Sequence, residues 1–381
     1  MESPPHKRNV GRDEDRISTL TDDLLVGILE RLDLREAVRA GALSTRWRHL
    51  PYRLSRLHLD VGHFQGQGAT PLEVMDAFTG ATQRLLSVLP MADAIIPIKG
   101  LVLGFYMSSP HLSSIGRTIE DVVSYGKTEC LEFCISSPLP ASYSALLLAE
   151  IGQQFMSFSR AYPVAFSWLT SLTLKRLAFG TSDITELISA CGRLRHLTLR
   201  LCRLIDPRST VKIDVSFSGI QELEFFGFGC TQIDLISAPK LRQVWCQNWL
   251  FKNPPVCFGY VPELRVLSRH SCIMTLENCA EKTNVVWKPS KDLKHLNLKV
   301  LLIFGCEDED KVTNYIRLVM GRAVGLNSIV LHGEYPCEDC NATDLERSKL
   351  GKASNVGEAS RRRIMERLTH GSSSSVEIVI Y

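Results

Sequence analysis

A chain of 381 residues with 44 Lys and Arg against 41 Asp and Glu carries a formal net charge of +3, too small a field to draw it to nucleic acid or an anionic membrane. No apolar run reaches the roughly 18 residues that a membrane span needs, and the opening MESPPHKRNVGRDEDR is polar where a secretory leader is apolar, so the reading is a soluble intracellular protein, cytoplasmic, nuclear or both. The 12 cysteines are scattered, several of them in apolar runs (Cys130, Cys134, Cys246, Cys272), which suits reduced buried thiols better than a disulfide framework. Asn341-Ala-Thr343 has the form of a glycosylation sequon but no leader to bring it to the modifying machinery.

The length predicts at least two folded units. Residues 1 to 15 are too polar to fold and are read as a disordered tail. From there Leu24, Leu25, Ile28, Leu29 and Leu32 recur at helical spacing, Thr21 stands at the N-cap with Asp22 and Asp23 in the first turn, and Asp33 breaks the helix. A second short helix is expected through Ala37, Val38 and Leu43 to Trp47. With the Ile17 to Leu20 lead-in and the closing Leu43, Ser44, Trp47 and Arg48, this segment, residues 16 to 60, resembles the F-box. The resemblance implies docking onto a Skp-type adaptor, and through it onto cullin and RING subunits, with Leu20, Leu24, Leu25, Ile28, Leu29, Leu32, Leu43 and Trp47 as the adaptor-binding residues. Thr21 stands where the family usually has Pro.

Arg56 to Val61 alternates like a strand, a Gly-rich break follows, and a helix is expected from Leu72 to Leu89. Six segments then share the spacing L-x-x-L-x-L or part of it: Leu169 to Leu174, Leu194 to Leu199, Ile220 to Phe225, Leu241 to Cys246, Leu264 to Leu267 and Leu293 to Leu298. They begin 25, 26, 21, 23 and 29 residues apart, within the roughly 20 to 29 residue period of leucine-rich repeats. Each L-x-L supplies a strand whose alternate residues point inward, and the rest of the unit returns over the convex side. Cys202 and Cys272 take the slot where the repeat carries Asn or Cys; Leu177, Phe228, Trp249 and Leu301 take it elsewhere. Leu101 to Tyr106 and Leu131 to Ile135 are weaker strand candidates, read as degenerate earlier units.

Beyond the repeats, an acidic break at Cys306 to Asp310 precedes a helix over Lys311 to Val324, a strand over Leu326 to Leu331, a flexible stretch near 336 to 360, a basic helix around Arg361 to Leu368 and a final strand Val376 to Tyr381. The whole resembles a plant F-box/leucine-rich-repeat protein of the FBD-related group. The fold class is therefore α/β: a small helical F-box, an irregular leucine-rich-repeat solenoid over 61 to 305 (clearest over 169 to 300) and a short α/β C-terminal cap over 306 to 381.

The residues offer little catalytic chemistry. His332 with Cys337 and Cys340 supplies three zinc ligands and lacks a fourth. Glu307 to Asp310 is a consecutive acidic run without calcium-loop spacing, no Gly-rich phosphate loop or Gly-x-Ser-x-Gly is present, and Arg361 to Arg363 reads as a solvated helix face. No cofactor is expected. What remains is a surface: the residues alternating with the inward leucines face the concave side. Lys175, His196, Arg200, Glu222, Glu224, Phe226, Gln243, Trp245, Gln247, His270, His295, Asn297 and Lys299 fall there. Of these, His196, Arg200, Glu222, Glu224, Phe226, Trp245, His270 and His295 are the target-binding candidates, with Trp245 and Phe226 as aromatic anchors. The expectation is a non-catalytic receptor that recruits a protein target to a ubiquitin ligase; the alternative is a protein-binding scaffold outside any ligase.

Overall fold

The computed structural model describes residues 19–87, 98–125, 127–138, 145–247, 256–270, 297–304, 310–333, 356–370 and 376–381. The expected tail, most of the stretch expected to be flexible, and Cys272, Trp249, Cys337 and Cys340 lie outside them.

The N-terminal helices are α1 (Asp22–Leu29), α2 (Leu34–Ala40) and a 3-10 helix, Trp47–Arg53. Leu25 and Leu29, one turn apart, sit in the core with Leu34, Ala37 and Leu50. Thr21 is the N-cap of α1 but its side chain makes no capping bond. The acidic first turn is instead bound by arginines from the 3-10 segment: Arg46 donates to Asp22 at 2.8 and 3.0 Å, and Arg53 reaches Asp23 at 2.9 Å. Asp33 does more than break the helix, since its carboxylate caps α2 by accepting from the Glu36 amide at 2.8 Å. The second helix is shorter than expected. It stops at Ala40 with Gly41 as C-cap, and Leu43 lies in the turn before the 3-10 helix.

Glu30, just past α1, accepts from the Ser55 amide and hydroxyl at 3.2 and 2.6 Å, tying these helices to the strand that follows. That strand, β1 (Arg56–Asp60), is the edge of an all-parallel sheet of eleven strands among the described residues. The 60/61 boundary read from the sequence therefore falls at the end of the sheet's first strand. In chain order the others are β2 (Gly100–Tyr106), β3 (Cys130–Ser136), β4 (Ser171–Lys175), β6 (His196–Arg200), β9 (Glu222–Phe226), β11 (Gln243–Gln247), β13 (Val266–His270), β14 (Val300–Phe304), β15 (Ser328–Leu331) and β16 (Glu377–Ile380). The inward positions align as one ladder from Leu103 through Phe133, Leu172, Leu197, Leu223, Val244, Leu267, Leu301 and Ile329 to Ile378.

The sixth unit, Leu293 to Leu298, lies mostly outside the described residues; the strand paired with β13 among them is Val300–Phe304, and the pattern in its register is Leu298-x-x-Leu301-x-Ile303. Leu301 is thus a strand-core residue and does not occupy the Asn/Cys slot. The same spacing extends the ladder at both ends, through Leu54-x-x-Leu57-x-Leu59, Ile98-x-x-Leu101-x-Leu103 and Leu326-x-x-Ile329-x-Leu331, all buried.

Over the convex side the return segments follow their own periodicity. Where apolar residues recur at three and four, helices form: α3 (Pro71–Ser87), α4 (Ser109–Ser124, burying Leu112, Ile115, Ile119 and Val123), α5 (Ala145–Ala161), α6 (Pro163–Trp168) and α7 (Asp183–Ala190). Their core is a chain of phenylalanines, with Phe105 edge-on to Phe133 at 5.7 Å, Phe133 to Phe166 at 5.8 Å and Phe155 to Phe179 at 6.3 Å. At Gly152, α5 approaches so close that any Cβ would overlap the Ala178 carbonyl. In the middle units the return segments alternate with period two, as in Thr-Val211-Lys-Ile213-Asp, and form strands: β8 (Thr210–Asp214), β10 (Gln232–Ser237) and β12 (Val256–Tyr260), a second parallel sheet over the first, while the short β5 (Ala178–Phe179) and β7 (Arg203–Leu204) pair with each other. Helices return after β14, as Asp310–Arg322, and before β16, as Glu358–Thr369. No helix among the described residues is long and apolar enough to cross a membrane.

Candidate interaction surfaces

The N-terminal helices sort the sequence-derived adaptor residues into two sets. Leu25 and Leu29 are fully buried, whereas Leu24 is 57% exposed, Ile28 42%, Leu32 40% and Leu43 78%; Leu20 and Trp47 are half-buried. An α-helix turns 100° per residue, so neighbours such as Leu24 and Leu25 serve opposite needs, one set closing the core and the other leaving an aliphatic row in solvent. Val38 and Tyr52 add exposed apolar surface from α2 and the 3-10 helix. Isolated exposed leucines are ordinary; several on one small module are a docking feature.

The second surface is the concave face of the large sheet. Register places His58, Val102, Glu132, Ser171, His196, Glu222, Gln243, Val266, Val300, Ser328 and Glu377 in one row across it. The next row holds Thr173, Thr198, Glu224, Trp245, Ser268, Leu302, Val330 and Val379. The middle of this face is polar and internally bonded. His196 Nδ1 meets Glu222 Oε2 at 2.8 Å, Thr198 donates to Glu224 at 3.2 Å and the Trp245 indole N–H donates to Gln243 at 3.2 Å. The row then turns apolar toward β16.

Among the target-binding candidates, then, His196, Glu222, Glu224 and Trp245 come together as a contiguous patch. Phe226 differs: it is only 6% exposed, with the Arg200 guanidinium 4.9 Å above its ring, so the cation and not the phenyl is presented. His270 lies on β13 opposite Gln247, and His295 is outside the described residues. Asn297 and Lys299 precede β14; Asn297 donates to the Pro262 carbonyl, and the positions facing the concave side are Val300, Leu302 and Phe304.

Several reactive-looking groups turn out to hold the scaffold. Leu177, Cys202 and Phe228 follow strands β4, β6 and β9 at equivalent places, each after a residue with positive φ: Arg176, Leu201 and Gly227. Cys202 donates to the Leu174 and Arg200 carbonyls at 3.4 and 3.5 Å, and burial pushes its thiol up to about 12, as it does for Cys191, Cys230 and Cys257. These thiols stay protonated and poorly nucleophilic. His332, the one described member of the suspected zinc set, stacks between Phe304 at 4.6 Å and Tyr381 at 4.7 Å, and burial lowers its pKa. Among the described residues no group of three His, Cys, Asp or Glu could hold a metal. A serine, histidine and aspartate do meet without any sequence signal, because α3 and α4 lie side by side: Asp76 is 2.7 Å from His111 Nε2, and Ser108, the N-cap of α4, is 3.1 Å from Nδ1. With His111 buried, this array links the two helices.

Comparison with known families finds matches for both parts of the chain. Residues 17–58 match the F-box domain, and residues 117–318, more than half of the chain, match the repeats of "FBD-associated F-box protein At5g56370, LRR repeats". The chain belongs to the FBD-associated F-box/leucine-rich-repeat family. It is similar to F-box protein At5g03100 of Arabidopsis thaliana, 24% identical over 78% of this chain and 91% of the relative. It is also 25% identical to the putative F-box/FBD/LRR-repeat protein At3g49030 and 27% identical to the FBD-associated F-box protein At5g22730 of the same plant, where it spans only about half of each relative, 51% and 52%. The F-box match ends at the second residue of the L-x-L of β1, so family boundary and first strand overlap.

Proposed function

We propose that this protein is the substrate-recognition subunit of a Skp-cullin-F-box ubiquitin ligase. The F-box is held by a Skp-type adaptor, and through it by cullin and RING subunits, while the concave sheet takes a protein target. The observation that carries the reading is that Leu24, Ile28, Leu32 and Leu43 are all exposed on a module whose own core is already closed by Leu25 and Leu29. Leu20 and Trp47 are half-buried, and Leu25 and Leu29 act by holding the module in shape. On the concave side Trp245, Glu224, Glu222, His196 and Arg200 form the target surface. The receptor itself does no chemistry; it raises the target's effective concentration beside the charged ubiquitin-conjugating enzyme.

A scaffold outside any ligase is the competing reading, favoured by Thr21 in place of the usual Pro. Coexpression with a Skp-type adaptor decides between them: stoichiometric copurification that needs residues 16–60 supports the receptor, and a folded chain that retains no adaptor supports the scaffold.

A further inference from the structure

The F-box and the first repeat do not meet flush. Between them lies a cavity of about 560 Å³, half open to solvent, walled on one side by Leu34, Val38, Pro51 and Tyr52 of the F-box and on the other by Leu59, Phe64 and Leu85 of the first repeat. This volume is that of a small-molecule site, roughly 300–1,000 Å³. Its charge is one-sided: Arg35, Arg39, Arg48 and Arg84 line it, and no Asp or Glu is among the lining residues. Two other F-box arginines, Arg46 and Arg53, pair with Asp22 and Asp23. Arg35, Arg39 and Arg48 make no ion pair with any described residue.

We propose that this cavity binds a small apolar carboxylate or an equivalent anionic amphiphile, its body against Val38, Leu59, Phe64 and Leu85 and its head among Arg39, Arg48 and their neighbours. An aliphatic floor alone would accept any oil-like molecule, and arginines alone would accept any anion. The two together select a ligand having both, since planar guanidinium groups bind carboxylate oxygens in pairs. The walls come from two units, so an occupant would also fix the angle between the adaptor-bound module and the target-bound sheet.

The test uses the full chain and two fluorescent probes sharing one ring system, anionic 1-anilinonaphthalene-8-sulfonate and neutral N-phenyl-1-naphthylamine. The wild-type chain should bind the anionic probe more tightly. The double variant Arg39→Gln/Arg48→Gln should weaken it by at least about tenfold while leaving the neutral probe unchanged, and decanoate should displace both probes better than decanol. In a second variant, Leu85→Glu, both probes should be lost while the chain keeps its far-ultraviolet circular dichroism and a cooperative melting transition. Equal affinity for the two probes, or an anionic-probe affinity untouched by the double variant, would overturn the proposal. So would release of both probes on adding a Skp-type adaptor, which would assign the cavity to the adaptor interface.

Discussion

The F-box face and the concave sheet face, the two surfaces proposed for partners, are built on opposite plans. The F-box presents aliphatic side chains with no polar partners of their own, standing on Leu25, Leu29, Leu34, Ala37 and Leu50 at one end of the hydrophobic core. The concave face presents half-buried polar groups already bonded to one another, His196 to Glu222, Thr198 to Glu224 and Trp245 to Gln243, over a continuous core. An apolar row loses little by waiting in water and gains on burial, which suits one constant partner. A pre-bonded polar lattice exchanges its internal bonds only for a partner that replaces them, which suits discrimination.

This contrast can be broken most severely at the F-box core. Leu25→Ala with Leu29→Ala removes two fully buried side chains, each worth about 2–5 kcal/mol. The F-box should lose its hydrogen-exchange protection and the adaptor together, while β4 to β11 stay protected. Next comes the surface row: Ile28→Glu with Leu43→Glu should leave the melting temperature within about 2 °C and abolish adaptor copurification. Retention of adaptor by that variant would show that the exposed row is not the docking face.

On the concave face a single change should matter less. Trp245→Ala is expected to weaken target capture by about 2 kcal/mol, the scale of a hot spot, with the adaptor still bound; a large fall in melting temperature instead would make the indole a packing residue. The smallest effect is expected at an ion pair on neither face. Arg160 of α5 donates to both Glu186 oxygens of α7 at 2.7 and 2.9 Å, and these hydrogen bonds hold the Glu186 carboxyl below its usual range. A depressed carboxylate stabilises the fold above its unfolded value, near pH ~4.3, and that contribution is lost as pH falls through the folded value. Glu186→Gln should therefore lower the melting temperature by no more than about 2 °C at pH 7, and the gap should narrow as the pH falls below the unfolded value and through the folded one.

Much of this was readable in the chain itself. The L-x-x-L-x-L spacing located β4, β6, β9, β11 and β13, because every second strand residue must face one core. The helical spacing from Leu24 located α1 and Asp33 marked the break before α2, whereas the second helix, expected to run through Leu43 to Trp47, stops at Ala40. The period-two run at Val211 and Ile213 was a legible sign that strands, not helices, cover the middle repeats. The apolar run at Leu298 to Ile303 was ambiguous, since leucines on both strand faces fit two frames, and only pairing of β14 with β13 and β15 chose between them. Periodicity likewise groups Leu24 with Leu25 and Ile28 with Leu29 as apolar; which of each pair is core depends on where α2 and the 3-10 helix pack. The Asp76–His111–Ser108 array, the Arg200 guanidinium over Phe226 and the arginine-lined cavity join residues up to tens of positions apart. Local propensity carries no record of such meetings, because they are set by which elements the sheet's register brings side by side.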